Sequence, residues 1–537
     1  MQANRHERTS LIPRFQPCGK FFLLVCLWSF SVWAVHAQTY SGMLTWHNDL
    51  ARTGQNLHET VLTPVNVNSK TFGKLFSFPV DGQIVAQPLY VNNVSIPGKG
   101  TYNVIYVATE NDSVYAFDAD GVNPSALWYD SFIDPGKGIT PIPCADTGAN
   151  PCPFASVIGI TGTPVIDPGS GTLYLVAATK ETGKFVNRLH ALDITTGGEK
   201  FGGTVQIQAS VKGSGAGSRQ GVVSFDAHHE SQRPGLLLLN GVVYLGWASF
   251  GDVAPFHGWV LGYGATSLAQ MAVFNSTPNG SDGGVWQSGA APSADAAGNI
   301  YLLTGNGTFD GNKAGSDWGD TFLKFDSSLA VQDYFTPDDQ LKLAKNDLDL
   351  GSGAGILLPP QSGKYPDEMV SAGKEGLIYV VNRDKMGKFN SQKNNVIETV
   401  RGSVKGYFGS AAYWNQTVYF SGLGDFLSQY AVSKGLLSTS PVFHAPTRFG
   451  TTPAISANGS SSAVVWAIQR IAPNGKVQPA VLHAYDASNV SRETYNTGQA
   501  GKRDLLGLGV TFSVPTIMNG KVYVGTGGEL DVLGLLP

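Results

Sequence analysis

Charge is scarce in this chain. Of its 537 residues only 14% are Asp, Glu, Lys or Arg, against roughly 25% in an ordinary soluble domain. Few solvated helix faces can be covered at that density, and helical spacing is nearly absent. The best stretch is 337–347 (PDDQLKLAKND), and its apolar residues are poorly spaced. No apolar run reaches the roughly twenty residues of a bilayer-spanning helix. No Cys-x-x-Cys-His occurs, which excludes a fused haem c domain. Gly-x-Gly patterns such as Gly351-Ser352-Gly353 do not lead into a helix, which disfavours a dinucleotide fold. What is abundant is glycine, with 66 residues, and aromatic side chains, with 27 Phe, 20 Tyr and 10 Trp. Such a chain can bury a large core, so global disorder is excluded. Glycine has no three-residue period, so collagen is excluded too. Many short strands joined by tight turns fit this composition.

The first 37 residues read as an export signal. Arg5, Arg8, Arg14 and Lys20, with one acid, Glu7, precede the apolar run 21–35, and Val35-His36-Ala37 closes it. Removing that leader, net +3, takes the formal charge from −4 to −7. A nucleic-acid partner needs a basic face, so none is expected. The product would be periplasmic or extracellular, without a membrane span. Cys18 and Cys26 leave with the signal, while Cys144 and Cys152 flank a turn-rich loop (CADTGANPC). In an oxidising compartment those two read as a disulfide staple, since a metal site would want more thiols or nearby histidines. His228-His229-Glu230 reads as surface, because adjacent strand side chains point to opposite faces.

The chain also repeats. The clearest unit is 103–120 (NVIYVATENDSVYAFDAD): an apolar strand, a polar turn, then a strand ending in Asp. Related units stand at 172–193, 242–263, 299–326, 368–384, 417–432, 463–486 and 521–536. From Tyr106 to Tyr523, seven steps cover 417 positions, about sixty residues each. Most units follow another short strand introduced by Gly or Pro, as in AQPLYV, TGTPVID, RPGLLLLN and TTPAISA. Four strands fit each repeat, and a ring of such sheets removes exposed edges. The expectation is an all-β, eight-bladed β-propeller, with seven blades as the alternative count. The last unit runs out after three strands, so 74–81 (KLFSFPVD) is expected to supply its fourth. The domain plan is signal 1–37, an N-terminal extension 38–73, and a propeller over 74–537.

These repeats resemble those of the quinoproteins, the propellers that hold pyrroloquinoline quinone (PQQ); non-catalytic propellers carry similar units. Four stretches, in matching order, resemble PQQ-dependent alcohol dehydrogenases: 246–263, 283–311, 345–360 and 371–388. The resemblance implies metal ligation by Asp252, Asn306, Asp347 and Asp349. It implies that Trp286 forms the floor beneath the quinone, that Asp347 is the catalytic base, and that Lys374 pairs with a quinone oxygen. Asp349 matches an extra carboxylate of lanthanide-using members, so the metal would be Ca²⁺ or a lanthanide.

Oxygen ligands suit such hard cations. The sequence also departs from the family: the adjacent Cys-Cys pair is missing, Asn346 stands where Trp precedes the base, and Asp252 replaces a Glu. Two functions stay open. One is a PQQ-dependent oxidoreductase acting on an alcohol or sugar, with an external electron acceptor. The other is a non-catalytic scaffold whose faces bind a protein or glycan.

Overall fold

The computed structural model describes residues 40–150, 152, 156–403, 405–471 and 476–537. The export signal expected over 1–37, with Cys18 and Cys26, lies outside the described residues. Within them stand eight sheets of four to six strands, in chain order. Their second strands are Gly100–Ala108, Thr172–Glu181, Val242–Ser249, Ile300–Leu303, Glu368–Ala372, Thr417–Ser421, Ser461–Ile471 and Lys521–Gly525. Each overlaps one of the eight repeats, so the sheets are numbered here as blades one to eight.

Strict alternation explains how the blades stack. In Gly100–Ala108, Val104 and Tyr106 pack toward blade two, onto Leu173 and Leu175. Ile105 and Val107 point the other way, onto Tyr523 and Val532 of blade eight. The same two-residue period sends Tyr174 and Val176 onward to blade three. Six further apolar clusters, counting that one, join each blade to the next up to blade eight. The stack therefore closes on itself as a β-propeller. Closure uses the expected strand: Phe72–Gln83 pairs antiparallel with Gly527–Leu535, Phe78 opposite Leu530. Phe78 also stacks on Phe117 of blade one at 4.4 Å, which ties the two ends of the ring together.

Residues 40–58 run through the channel. Backbone carbonyls of Ser41, Leu44, Leu50, Ala51, Thr53 and Gly54 accept from Asn92, Ile166, Ala294, Leu357, Tyr413 and Ile455. Those donors belong to the inner strands of blades one, two, four, five, six and seven or lie at their edges. A segment bonded all round the ring can only lie inside it. Two buried side chains, His47 and Arg52, fix its path. His47 sets both ring nitrogens 2.8 Å from carbonyls, of Arg52 and Pro453. Arg52 donates through Nε to Pro292 O (2.9 Å) and through Nη1 to Thr45 Oγ1, Trp46 O and Asp49 O.

Cys144 and Cys152 meet as expected, with sulfurs 2.11 Å apart. Cys144 packs with Ile142, Ile158, Ala178 and Phe250, so the staple anchors this loop against blades two and three. The one α-helix among the described residues, Gln340–Lys345, is short and falls within 337–347. The surface expectation fails at Glu230, which is buried and accepts from His257 N (3.1 Å) and Trp259 Nε1 (3.3 Å). His228 and His229 stand in the turn before the strand Glu230–Gln232, the first exposed and the second half-buried.

Candidate functional site

Asp252, Asn306 and Lys374 occupy equivalent places. Each stands in the turn just after the second strand of its blade, Val242–Ser249, Ile300–Leu303 or Glu368–Ala372. Asp347 and Asp349 follow the short helix on the link from blade four to blade five, and Trp286 lies on the link from three to four. Repetition therefore brings residues far apart in sequence to one mouth of the channel. Asp252 and Asp347 hold left-handed backbone conformations (φ 59° and 53°), which Asp tolerates in tight turns.

Lys374 is the hub. Its Nζ lies 2.5 Å from Asp347 Oδ1 and 2.7 Å from Asp349 Oδ2. Asn306 binds the same two acids, donating its backbone N–H to Asp349 Oδ1 (2.7 Å) and Nδ2 to Asp347 Oδ1 (3.1 Å). Asp349 is buried, with 6% of its side chain exposed, whereas Asp347 is 68% exposed. Gly305 makes the close approach possible: a Cβ there would fall 2.3 Å from Asp349 Oδ1 and 2.7 Å from Trp286 Cδ1.

A cavity of about 190 Å³ opens beside this cluster, lined by Asp252, Trp286, Asp349, Lys374, Phe408 and Phe512 among others. Arg233 reaches into it, its guanidinium 5.2 Å from the Trp286 ring centre and 5.0 Å from that of Phe512. All six residues expected at the site thus line this cavity or bond to a residue that does. They do not form a cage of acids: among the described residues, no group of three or more His, Cys, Asp or Glu comes together as a metal site. Asp347 and Asp349 share the Lys374 ammonium, and Asp252 lines the cavity separately.

Electrostatics follow from burial. Burial raises the Asp349 carboxyl above its usual range, against the pull of Lys374. Burial opposes the Lys374 charge, yet Asp349 and Asp347 hold its pKa above the ordinary lysine value. Burial, then the negative charge of Asp349, pushes Asp252 up to about 6. Arg233 is pushed down to about 9 by burial, although Glu110, Asp252 and Asp349 favour its charge.

Arg233, Phe408 and Phe512 were not singled out by sequence. A signal for Arg233 existed. The inner strands open with a residue followed by Pro, and across six of them that residue is Gln87, Thr163, Arg233, Ala291, Thr452 or Val514. Arg233 is the one charged member of that set. The two phenylalanines sit in irregular links, where no periodicity marks them.

No family model matches the chain, and no curated protein matches it in sequence. Solved structures do match its fold. A europium-containing methanol dehydrogenase superposes with a TM-score of 0.60 at 13% identity, covering 92% of this chain and 98% of that one. The quinohemoprotein alcohol dehydrogenase ADHIIG from Pseudomonas putida HK5 gives 0.59 at 14% identity, covering 92% and 80%. At such identities the likeness establishes the fold. Repeats, closed ring and both neighbours agree on a quinoprotein-like β-propeller.

Proposed function

We propose that the protein is an exported quinoprotein-type oxidoreductase that oxidises an alcohol or sugar at this channel mouth. The observation that carries the reading is the Lys374–Asp347–Asp349–Asn306 cluster beside the Trp286 cavity. Trp286 offers an indole face to a flat quinone, PQQ. Lys374, held cationic by its two acids, stabilises negative charge as a quinone is reduced. Asp347 accepts from Lys374 and Asn306 through Oδ1, which leaves Oδ2 to take the alcohol proton. Phe408 and Phe512 restrict water on the far wall.

The donor set suits a hard cation. Asn306 Oδ1 is buried without a hydrogen-bond partner, and the nearby Asp347 and Asp349 supply carboxylate oxygens. Those three would hold Ca²⁺ or a lanthanide, whose chemistry is Lewis-acid polarisation of a quinone carbonyl. Electrons would pass to an external acceptor.

One observation favours the scaffold reading instead: Lys374 already pairs with both acids, so an internal cation stands where a metal would bind. Reconstitution decides between them. Purified apoprotein given PQQ with Ca²⁺ or a lanthanide should gain dye-linked alcohol oxidation, and D347A should lower that rate by about 100-fold or more. Absence of both activity and a quinone-induced thermal shift would establish the non-catalytic propeller.

A further inference from the structure

A second cavity of about 190 Å³ adjoins the first, and Phe408 and Phe512 line both. Its lining is rich in hydroxyls, from Ser421, Thr451, Thr452, Thr511 and Ser513. Arg470 is the one charged residue that lines it, and no acid does. Arg470 lies near the end of Ser461–Ile471 in blade seven, part-buried. Gly509 clamps its backbone, because a Cβ on Gly509 would fall 2.6 Å from Arg470 Cα.

Some of the hydroxyls here are spoken for. Ser513 Oγ donates to Gly525 O (2.8 Å), and Thr452 Oγ1 accepts from Ser410 N (3.3 Å). Three groups are left over, one of them the Thr511 hydroxyl, which has no hydrogen bond among the described residues. The Arg470 guanidinium has neither an ion pair nor a hydrogen bond among the described residues, and burial alone lowers its pKa with no carboxylate to offset it. Ser421 Oγ is buried, its residue only 6% exposed, and it has no partner. A planar fork of donors and spare hydroxyls, in a cavity without acids, call for a ligand that brings negative charge and two acceptor oxygens. A carboxylate has that shape. Lys374 Nζ is 6.0 Å from the centre of the Phe408 ring, which also lines this cavity.

We propose that Arg470 and Ser421 bind the carboxylate of a small organic acid, so that the alcohol oxidised at the Lys374 cluster is a hydroxy acid or sugar acid. The binding half stands on its own geometry. The identification of the occupant as substrate rests on the oxidoreductase reading above.

Calorimetric titration of the full chain, without quinone or metal, tests the binding half. Gluconate should bind saturably, the neutral alcohol sorbitol should not, and inorganic phosphate should bind more weakly than gluconate. R470Q should weaken gluconate at least about tenfold, since it removes charge-assisted hydrogen bonds. R470K should retain part of the affinity, because it keeps the charge and loses the fork. S421A deletes a single unpartnered oxygen, so it keeps the test valid if R470Q does not fold; it should weaken gluconate severalfold. No gluconate binding to the unaltered chain, or equal binding by R470Q, overturns the subsite. Phosphate binding as tight as gluconate reassigns it to inorganic anions. With reconstituted enzyme, oxidation of gluconate in preference to sorbitol supports the substrate half. Retained gluconate binding with oxidation of sorbitol alone overturns that half and leaves the binding half intact.

Discussion

Two arginines, one threaded through the channel and one at its mouth, carry the same charge and have opposite surroundings. Arg52 in the 40–58 segment is fully buried and donates to three backbone carbonyls and one hydroxyl. Arg470 near the mouth has no partner among the described residues. Burial depresses both, Arg52 to about 10. The cost of desolvation is of one kind at both sites, and only in the channel segment do internal hydrogen bonds offset it. A buried cation most of whose donors are directed at the chain itself, as Nε and Nη1 of Arg52 are while Nη2 is left over, is structural. One whose donors are left open is arranged for something outside the chain.

The largest effect should come from breaking the channel segment. Arg52→Met removes four hydrogen bonds and strands their buried acceptors, so about 3–5 kcal/mol of stability should be lost. Denaturant unfolding would measure it, and a loss below about 1 kcal/mol would erase the distinction drawn between the two arginines.

A somewhat smaller effect follows from pH. Burial raises Glu110 to about 7 and Glu368 to about 8, and it raises Asp112, Glu230 and Asp320 well above the usual carboxylate range. An acid whose folded pKa exceeds its unfolded value holds more protons when folded. Stability is therefore lost as pH rises through the interval between the two values. For fully buried Glu110 that interval runs from about 4.5 to about 7 and is worth roughly 3 kcal/mol. The protein should melt higher near pH 5 than near pH 8, and E110Q should flatten the curve between pH 5 and 7. A melting temperature that climbs steadily from pH 5 to pH 8 would contradict the sign.

Why the mouth was more legible than the channel filling comes down to repetition. Strands such as Gly100–Ala108 announce themselves by alternation, and eight similar units announce a ring. The site residues Asp252, Asn306 and Lys374 stand in equivalent turns, so a repeat that is recognised brings its turns with it. The channel segment has no such signature. Residues 40–58 contribute two-residue strands, Gly42–Met43 and Gln55–Asn56, and otherwise bond through irregular backbone. Their partners lie far off in sequence, 406 positions for His47 and Pro453 and 461 for Asn56 and Ile517. Phe408, Phe512 and Arg470 were hidden for a related reason. Each is ordinary in its own unit and matters only because neighbouring blades place it on a shared wall. The acid cluster was legible as residues but not as an arrangement, since nothing in the spacing of Asp347 and Asp349 says that Lys374 would bridge them.

The smallest expected change is the sharpest test of the contrast. Arg470→Gln removes a part-buried charge that has no partner to strand, so unfolding free energy should stay within about 0.5 kcal/mol of the unaltered chain, or rise. Set beside the several kcal/mol expected for Arg52→Met, that near-zero value would mark Arg470 as dispensable for the fold. A loss above about 2 kcal/mol would show that the guanidinium holds blades seven and eight together, which would return Arg470 to the structural class of Arg52. A neutral or stabilising outcome, coupled with lost gluconate binding, is what a residue kept for a ligand at the expense of stability must show. A purely structural residue would yield neither half of that pair.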